Sequence, residues 1–156
     1  SLKNLKVNFN MSLIESSLTM FEAEFNRRQL AAREGQTIDR ERELQGQSPY
    51  LINAGLDYSN DDLGLQTGFF YNVQGETLQV VGTGIVPDVF TQPFHSLNFK
   101  FRKTFGKDDN SAISIKVENI LDDERESFYN SFGGQSEIFS VRQPFRTFSL
   151  GYSFNF

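Results

Sequence analysis

His95 is the only histidine in 156 residues, there is no cysteine, and carboxylates stand together only as short runs: Asp61-Asp62, Asp108-Asp109 and Asp122-Asp123-Glu124. General acid–base and nucleophilic catalysis both need a titratable group beside a second group that activates or orients it. His95 has no such neighbour in sequence and stands at the start of an alternating apolar run, which makes it a residue at the rim of a strand. Turn chemistry accounts for the first two acidic pairs. The third offers hard oxygens to a divalent cation but lacks the spacing of an EF-hand or comparable loop. Neither Gly82-Thr83-Gly84 nor Gly133-Gly134 is a phosphate loop, because neither lies between a strand and a helix with a following Lys. The expectation is a protein that is not an enzyme, with no catalytic residue, no metal site and no cofactor. Recognition is the chemistry that remains. Arg27, Arg28, Tyr129 and Phe132 lie in long polar stretches, and Arg and aromatic side chains dominate recognition surfaces.

Charge narrows the partners. Fifteen Lys+Arg face twenty Asp+Glu, a net charge of −5, and no basic stripe is present, which argues against a nucleic-acid binder. Without cysteine there is no disulfide scaffold and no thiolate ligand set. The mean hydropathy is −0.42 and no apolar run is long enough for a spanning helix, yet a membrane β-barrel keeps its average low by alternating lipid-facing and lumen-facing residues. The opening Ser-Leu-Lys-Asn-Leu-Lys has no apolar stretch of the signal-peptide kind, so no signal peptide is expected within this chain.

The elements that would position any site follow from period-two alternation. Leu5, Val7, Phe9, Met11 and Leu13 oppose Lys6, Asn8, Asn10 and Ser12. The pattern returns with Tyr50, Ile52, Ala54, Leu56 and Tyr58, then with Leu63, Leu65, Thr67, Phe69, Tyr71 and Val73. Leu97, Phe99, Phe101 and Phe105 make a fourth run, Ile113, Ile115 and Val117 a fifth, and Phe148, Leu150, Tyr152, Phe154 and Phe156 the sixth. Connections alternate in length. Residues 59–62 and 106–110 read as short hairpin turns, whereas 18–47, 74–92 and 121–143 are far longer than ordinary hairpin loops. Within the first long connection, Arg27, Arg28, Arg33, Arg40 and Arg42 interleave with Glu34, Asp39, Glu41 and Glu43, a mixture that reads as a solvated surface, with a short helix over 22–34. The fold expected is all-β: an antiparallel up-and-down meander of about six long strands.

A soluble β-sandwich, holding a ligand in its long loops, alternates in the same way and stands as the alternative. Three features favour a transmembrane barrel. Several runs have the roughly ten-residue length that a tilted strand needs to cross a bilayer. Tyr58, Phe105, Phe154 and Phe156 fall at the short-turn rim, and Tyr50 and Tyr71 near the long-loop rim, as interfacial girdles would. Lys100, Arg102, Lys116 and Glu118 stand mid-strand on the polar face, which suits a lumen filled by water or a plug. Six strands cannot close alone, because the smallest membrane barrels have about eight.

Specific residues carry a resemblance. Gly46-Gln47-Ser48-Pro49-Tyr50-Leu51-Ile52-Asn53-Ala54-Gly55-Leu56-Asp57-Tyr58 resembles a late strand opening of TonB-dependent outer-membrane receptors. Tyr71-Asn72 with Gly75 and Gly82, then Pro87-Asp88 and Gln92-Pro93, look like the strand and loop that follow. Val117-Glu118-Asn119-Ile120-Leu121-Asp122 is similar to the Asn-Leu-Leu element near the end of these barrels, and the terminal Phe156 completes the order. The resemblance implies the last six strands of a barrel of about twenty-two around a plug, in a Gram-negative outer membrane. It implies import of a nutrient such as a siderophore, cobalamin, glycan or peptide. The implied partners are the rest of the barrel with its plug, outer-membrane lipid, and TonB only through parts absent here. In the family the last strand is read by the barrel-assembly machinery; that signal maps onto Phe148, Leu150, Tyr152, Phe154 and Phe156. The resemblance places Gly55, Gly64, Gly68 and Gly151 on the lumen face, where a plug or curvature comes close.

Overall fold

The structure is a computed structural model and describes residues 2–155. Its elements in chain order are β1 (Leu5–Leu13), β2 (Leu18–Thr19), α1 (Glu22–Ala31), β3 (Glu41–Arg42), β4 (Tyr50–Asn60) and β5 (Leu65–Gln74). They continue with β6 (Thr77–Val80), β7 (Val89–Thr91), β8 (Phe94–Phe105), β9 (Ser111–Glu118), β10 (Arg125–Tyr129), β11 (Ile138–Arg142) and β12 (Thr147–Phe154). The long strands form one six-stranded sheet in the order β1-β4-β5-β8-β9-β12, every neighbour antiparallel. This is the expected all-β meander. The sheet is open, with β1 and β12 as its edges.

Register makes the alternation of single strands into two continuous surfaces. Phe9 pairs with Ala54, Ala54 with Tyr71, Tyr71 with Leu97, and further along the sheet Phe101 pairs with Ile115 and Ile115 with Leu150. Because directly paired residues share a face, one surface is mainly apolar across all six strands, interrupted by Thr67 beside Phe101 and by Lys103 between Leu65 and Ile113. The other carries Asn8, Asn53, Asn72, Asn98, Lys100, Lys116 and Ser149. The apolar surface is most exposed at its edge strands, where Phe9 is 68% exposed, Phe148 73% and Leu150 80%, and half-buried along the central ones, with Val73 buried at the long-connection end. Aromatic residues bracket it. Phe105 and Tyr152 lie with ring centres 6.5 Å apart near the short-turn end, and at the other end the Tyr71 hydroxyl is 2.7 Å from Nδ1 of His95. Phe156 lies outside the described residues.

Short and long connections fall at opposite ends, as the spacing predicts. At the short end, β4 runs on to Asn60, whose Oδ1 accepts from the Leu63 amide at 3.1 Å, while the Gly64 amide donates to the Asp61 carbonyl at 3.0 Å. The turn thus occupies 61–64 rather than 59–62, and β5 begins at Leu65 instead of Leu63. Gly64 is a turn residue with φ +56°, not a lumen-face residue as expected; it takes the left-handed conformation there while its carbonyl accepts from the Thr104 amide at 2.8 Å. Gly55 and Gly68 do lie on the polar surface, where the Phe70 ring leans across both.

The long connections hold more structure than their composition suggests. Parts of two of them assemble a second, four-stranded antiparallel sheet in the order β11-β10-β7-β6, and β2 pairs with β3. Leu78 and Val89, 0% and 1% exposed, form the small core of this layer, with Met20 also buried. The layer sits at one end of the six-stranded sheet, where Val73 is buried, and leaves Leu56, Phe69, Ile113 and Ile115 of the apolar face exposed. Helix α1 ends earlier than the expected 22–34. Ala32 turns extended, and the Arg33 amide donates to the Phe132 carbonyl at 3.1 Å instead of continuing the helix.

Candidate functional site

The layer at the long-connection end combines a few buried apolar side chains, Leu78, Val89 and Met20, with a buried ion-pair network. Asp88 closes its own loop by accepting the Gly82 amide on Oδ1 at 2.8 Å. Its carboxylate also takes both terminal nitrogens of Arg28, Nη1 to Oδ2 at 2.9 Å and Nη2 to Oδ1 at 2.8 Å. Arg28 Nη2 donates further to the Gly82 carbonyl at 2.9 Å, and Glu24, one helical turn earlier, lies 3.1 Å away. Glu24 in turn holds Arg42 at 2.7 Å. Such bidentate, charge-assisted bonds are the strong ones, and here they are out of water.

A cleft of about 430 Å³ opens beside this network. Its walls come from α1, the segment 36–43, β7 and residues 130–133, with Arg28, Asp88, Phe90 and Phe132 among the lining. The backbone fixes these walls to one another: the Asn130 amide donates to the Asp88 carbonyl at 2.8 Å, and Met20 and Arg40 are joined by an amide–carbonyl bond of 2.9 Å. Arg28 lies with its guanidinium carbon 5.6 Å from the centre of the Phe132 ring, a cation–π contact in the cleft wall.

Of the four residues expected to contact a ligand, two therefore meet. Arg28 and Phe132 share the cleft; Arg27 is exposed on α1 and Tyr129 packs edge-on against Phe139 at 5.4 Å, both outside the lining. The reading of the charged stretch as solvated fails at Arg28, which is 2% exposed, because its partner Asp88 lies sixty residues on. Sequence reasoning missed Asp88 and Glu76. Pro87-Asp88 was visible only as part of a loop, and nothing local signals that its carboxylate meets an arginine from another connection.

The other singled-out groups serve the backbone. Asp123 accepts the His95 amide at 2.6 Å and the Glu124 amide at 3.1 Å, and Asp122 sits 3.6 Å from Arg146. Among the described residues no three His, Cys, Asp or Glu side chains converge as a metal site. In β12, Phe148, Leu150, Tyr152 and Phe154 project from the apolar face at the open edge. Comparison with known proteins finds no family model, no curated protein and no solved structure that matches the chain.

Proposed function

We propose that the six-stranded sheet is the C-terminal part of the transmembrane barrel of a TonB-dependent receptor in a Gram-negative outer membrane, and that the layer over its rim captures a nutrient. The observation that carries this reading is the predominantly apolar surface across all six strands, broken by Thr67 and Lys103, widely exposed at its edge strands and bracketed by aromatic residues, opposite a surface of Asn, Ser, Lys and Arg. In water such a surface is far larger than a monomer tolerates. Facing lipid, it needs no further cover, and the polar surface faces a lumen.

Open edges support the same reading. Open sheet edges are not tolerated in hydrocarbon, so with β1 and β12 at the edges further strands must complete the sheet. The remainder of the barrel and its plug would supply them, and β12 with its apolar face would be the strand offered to the assembly machinery. Among the described residues no helix is long and apolar enough to cross a membrane, which says nothing about strands.

Expression followed by fractionation tests the proposal. The chain is expected in the membrane fraction, extracted only by detergent. A water-soluble, monodisperse monomer would overturn the reading and favour a β-sandwich whose apolar faces pack on each other.

A further inference from the structure

The polar face of the six-stranded sheet has a charge opposite to that of the chain as a whole. Its strands carry Lys6, Lys100, Arg102 and Lys116 against two carboxylates, Asp57 and Glu118, in a chain whose net charge is −5. Both carboxylates are answered. Asp57 accepts from the Asn8 side-chain amide at 3.0 Å and stands opposite Lys6, and Glu118 holds Lys116 at 2.7 Å. Lys100 and Arg102 are left over: both are exposed, and among the described residues no carboxylate lies within ion-pair distance of either.

Register brings these cations together. Lys100 of β8 pairs directly with Lys116 of β9, and like charges directly opposite each other destabilise a sheet. Arg102 follows two residues on, about 7 Å along the same face, between Gln66 and Ser114. The Lys100 ammonium lies 5.1 Å from the centre of the Phe70 ring, which holds a cation without neutralising it. Gly68, directly opposite Lys100, adds no side chain beside it. A depression of about 450 Å³ takes in Phe70, Lys100, Arg102, Ser114 and Lys116, with Asp57 as the one carboxylate in its lining.

The arrangement recurs nearer the long-connection end. Phe94, on the same face of β8, has the guanidinium carbon of Arg125 4.2 Å from its ring centre, and Arg125 pairs directly with Arg142. Both arginines are exposed, and among the described residues neither has a carboxylate within ion-pair distance. Twice, then, two cations stand directly opposite each other, one of them over a ring, about 20 Å apart along β8. Such pairs cost stability in the empty sheet, an anion between them offsets that cost, and a wall of one sign concentrates ions of the other.

We propose that Lys100, Arg102 and Lys116 seat a compact oxyanion with two or more carboxylate or phosphate groups, and that Arg125 and Arg142 draw it toward that seat. The inference deepens the receptor reading by naming the class of nutrient, and takes from it only that the polar face looks away from lipid. The Arg102 guanidinium takes one oxyanion group through paired N–H donors, and the two ammoniums share the next.

Titration calorimetry on the chain within the completed barrel, its fold checked by circular dichroism, tests this with tricarballylate and inorganic pyrophosphate as anions and spermidine as a cation. At least one anion is expected to bind, the tighter one naming the oxyanion group, and spermidine not at all; the binding should weaken about tenfold between low salt and half-molar salt. The variant Lys100→Gln/Arg102→Gln is expected to lose about tenfold or more in affinity, whereas Lys103→Gln, next in sequence but on the opposite face, leaves it unchanged. In stopped flow at low salt, Arg125→Gln/Arg142→Gln is expected to slow association several-fold and leave dissociation unchanged. Failure of both anions to bind, equal binding of spermidine, or an equal loss in Lys103→Gln would overturn the proposal; if Lys100 in a barrel that binds neither anion is also shielded from acetylation, the seat belongs to an acidic segment of the plug instead. Unchanged association in the arginine variant would overturn the role given to Arg125 and Arg142. Fractionation reports separately on the membrane: a water-soluble chain that binds the anions in buffer sinks the receptor reading alone, and a membrane-embedded barrel that does not bind them sinks this inference alone.

Discussion

Asp88→Ala removes three hydrogen bonds at once, those from Arg28 Nη1, Arg28 Nη2 and the Gly82 amide. What remains is a guanidinium 2% exposed, with Glu24 and the Gly82 carbonyl as its remaining polar partners. Breaking one side of a buried pair costs about 3–5 kcal/mol; the half-buried Glu24 keeps one partner on Arg28, but Nη1 and the Gly82 amide lose theirs. The small sheet rests on few apolar side chains, Leu78 and Val89 foremost, so the loss falls on that layer and not on the six-stranded sheet. Hydrogen exchange reads this directly. Amides in Thr77–Val80, Val89–Thr91 and Arg125–Tyr129 should exchange roughly two to nearly four orders of magnitude faster, at about 1.4 kcal/mol per decade. Amides in β5 and β8 should keep their rates. Replacing both partners, Arg28→Met with Asp88→Leu, should recover much of the protection, since no charge is then stranded. Less than a threefold change in the small sheet, or an equal acceleration in β5 and β8, would refute the assignment of this pair as the fastening of the layer.

Leu150→Arg, in the middle of β12 on the apolar face, should cost about 2–4 kcal/mol of folding free energy when the chain is part of the completed barrel in lipid vesicles, while Ser149→Arg on the polar face should cost little; reversible urea titration of that barrel separates them. Gly64→Ala should destabilise by about 1–2 kcal/mol in the same titration, since φ +56° is a conformation that L-residues resist. Phe132→Ala should raise exchange in the small sheet by about 1 kcal/mol, well short of Asp88→Ala, because only the ring face over Arg28 is lost.

The six long strands were legible because each buries or presents one kind of surface over eight to twelve residues, long enough for a period of two to show. The second sheet was not. Val89–Thr91 has three residues and Thr77–Val80 four, too short for alternation to stand out from a polar loop, and their pairing depends on contacts between separate connections. Glu22 was a legible helix start, whereas the end at Ala31 is set by the Phe132 carbonyl, a tertiary partner. At the cleft, residue type alone pointed to Arg28 and Phe132. The same logic pointed to Arg27 and Tyr129, which differ from them only in which way the backbone turns them. Gly64 was misplaced by extending β5 two residues into a turn.

The chain contains no tryptophan, which opens one direct test of the claim that the apolar face meets lipid. Single tryptophans placed at Phe148, Ser149, Leu150, Gly151 and Tyr152 in turn, with the chain assembled in a completed, otherwise tryptophan-free barrel in vesicles of brominated lipid, report contact with acyl chains by quenching. The account predicts alternation: strong quenching at 148, 150 and 152, weak at 149 and 151. Uniform quenching, or none at 148, 150 and 152 in a folded chain, would contradict it.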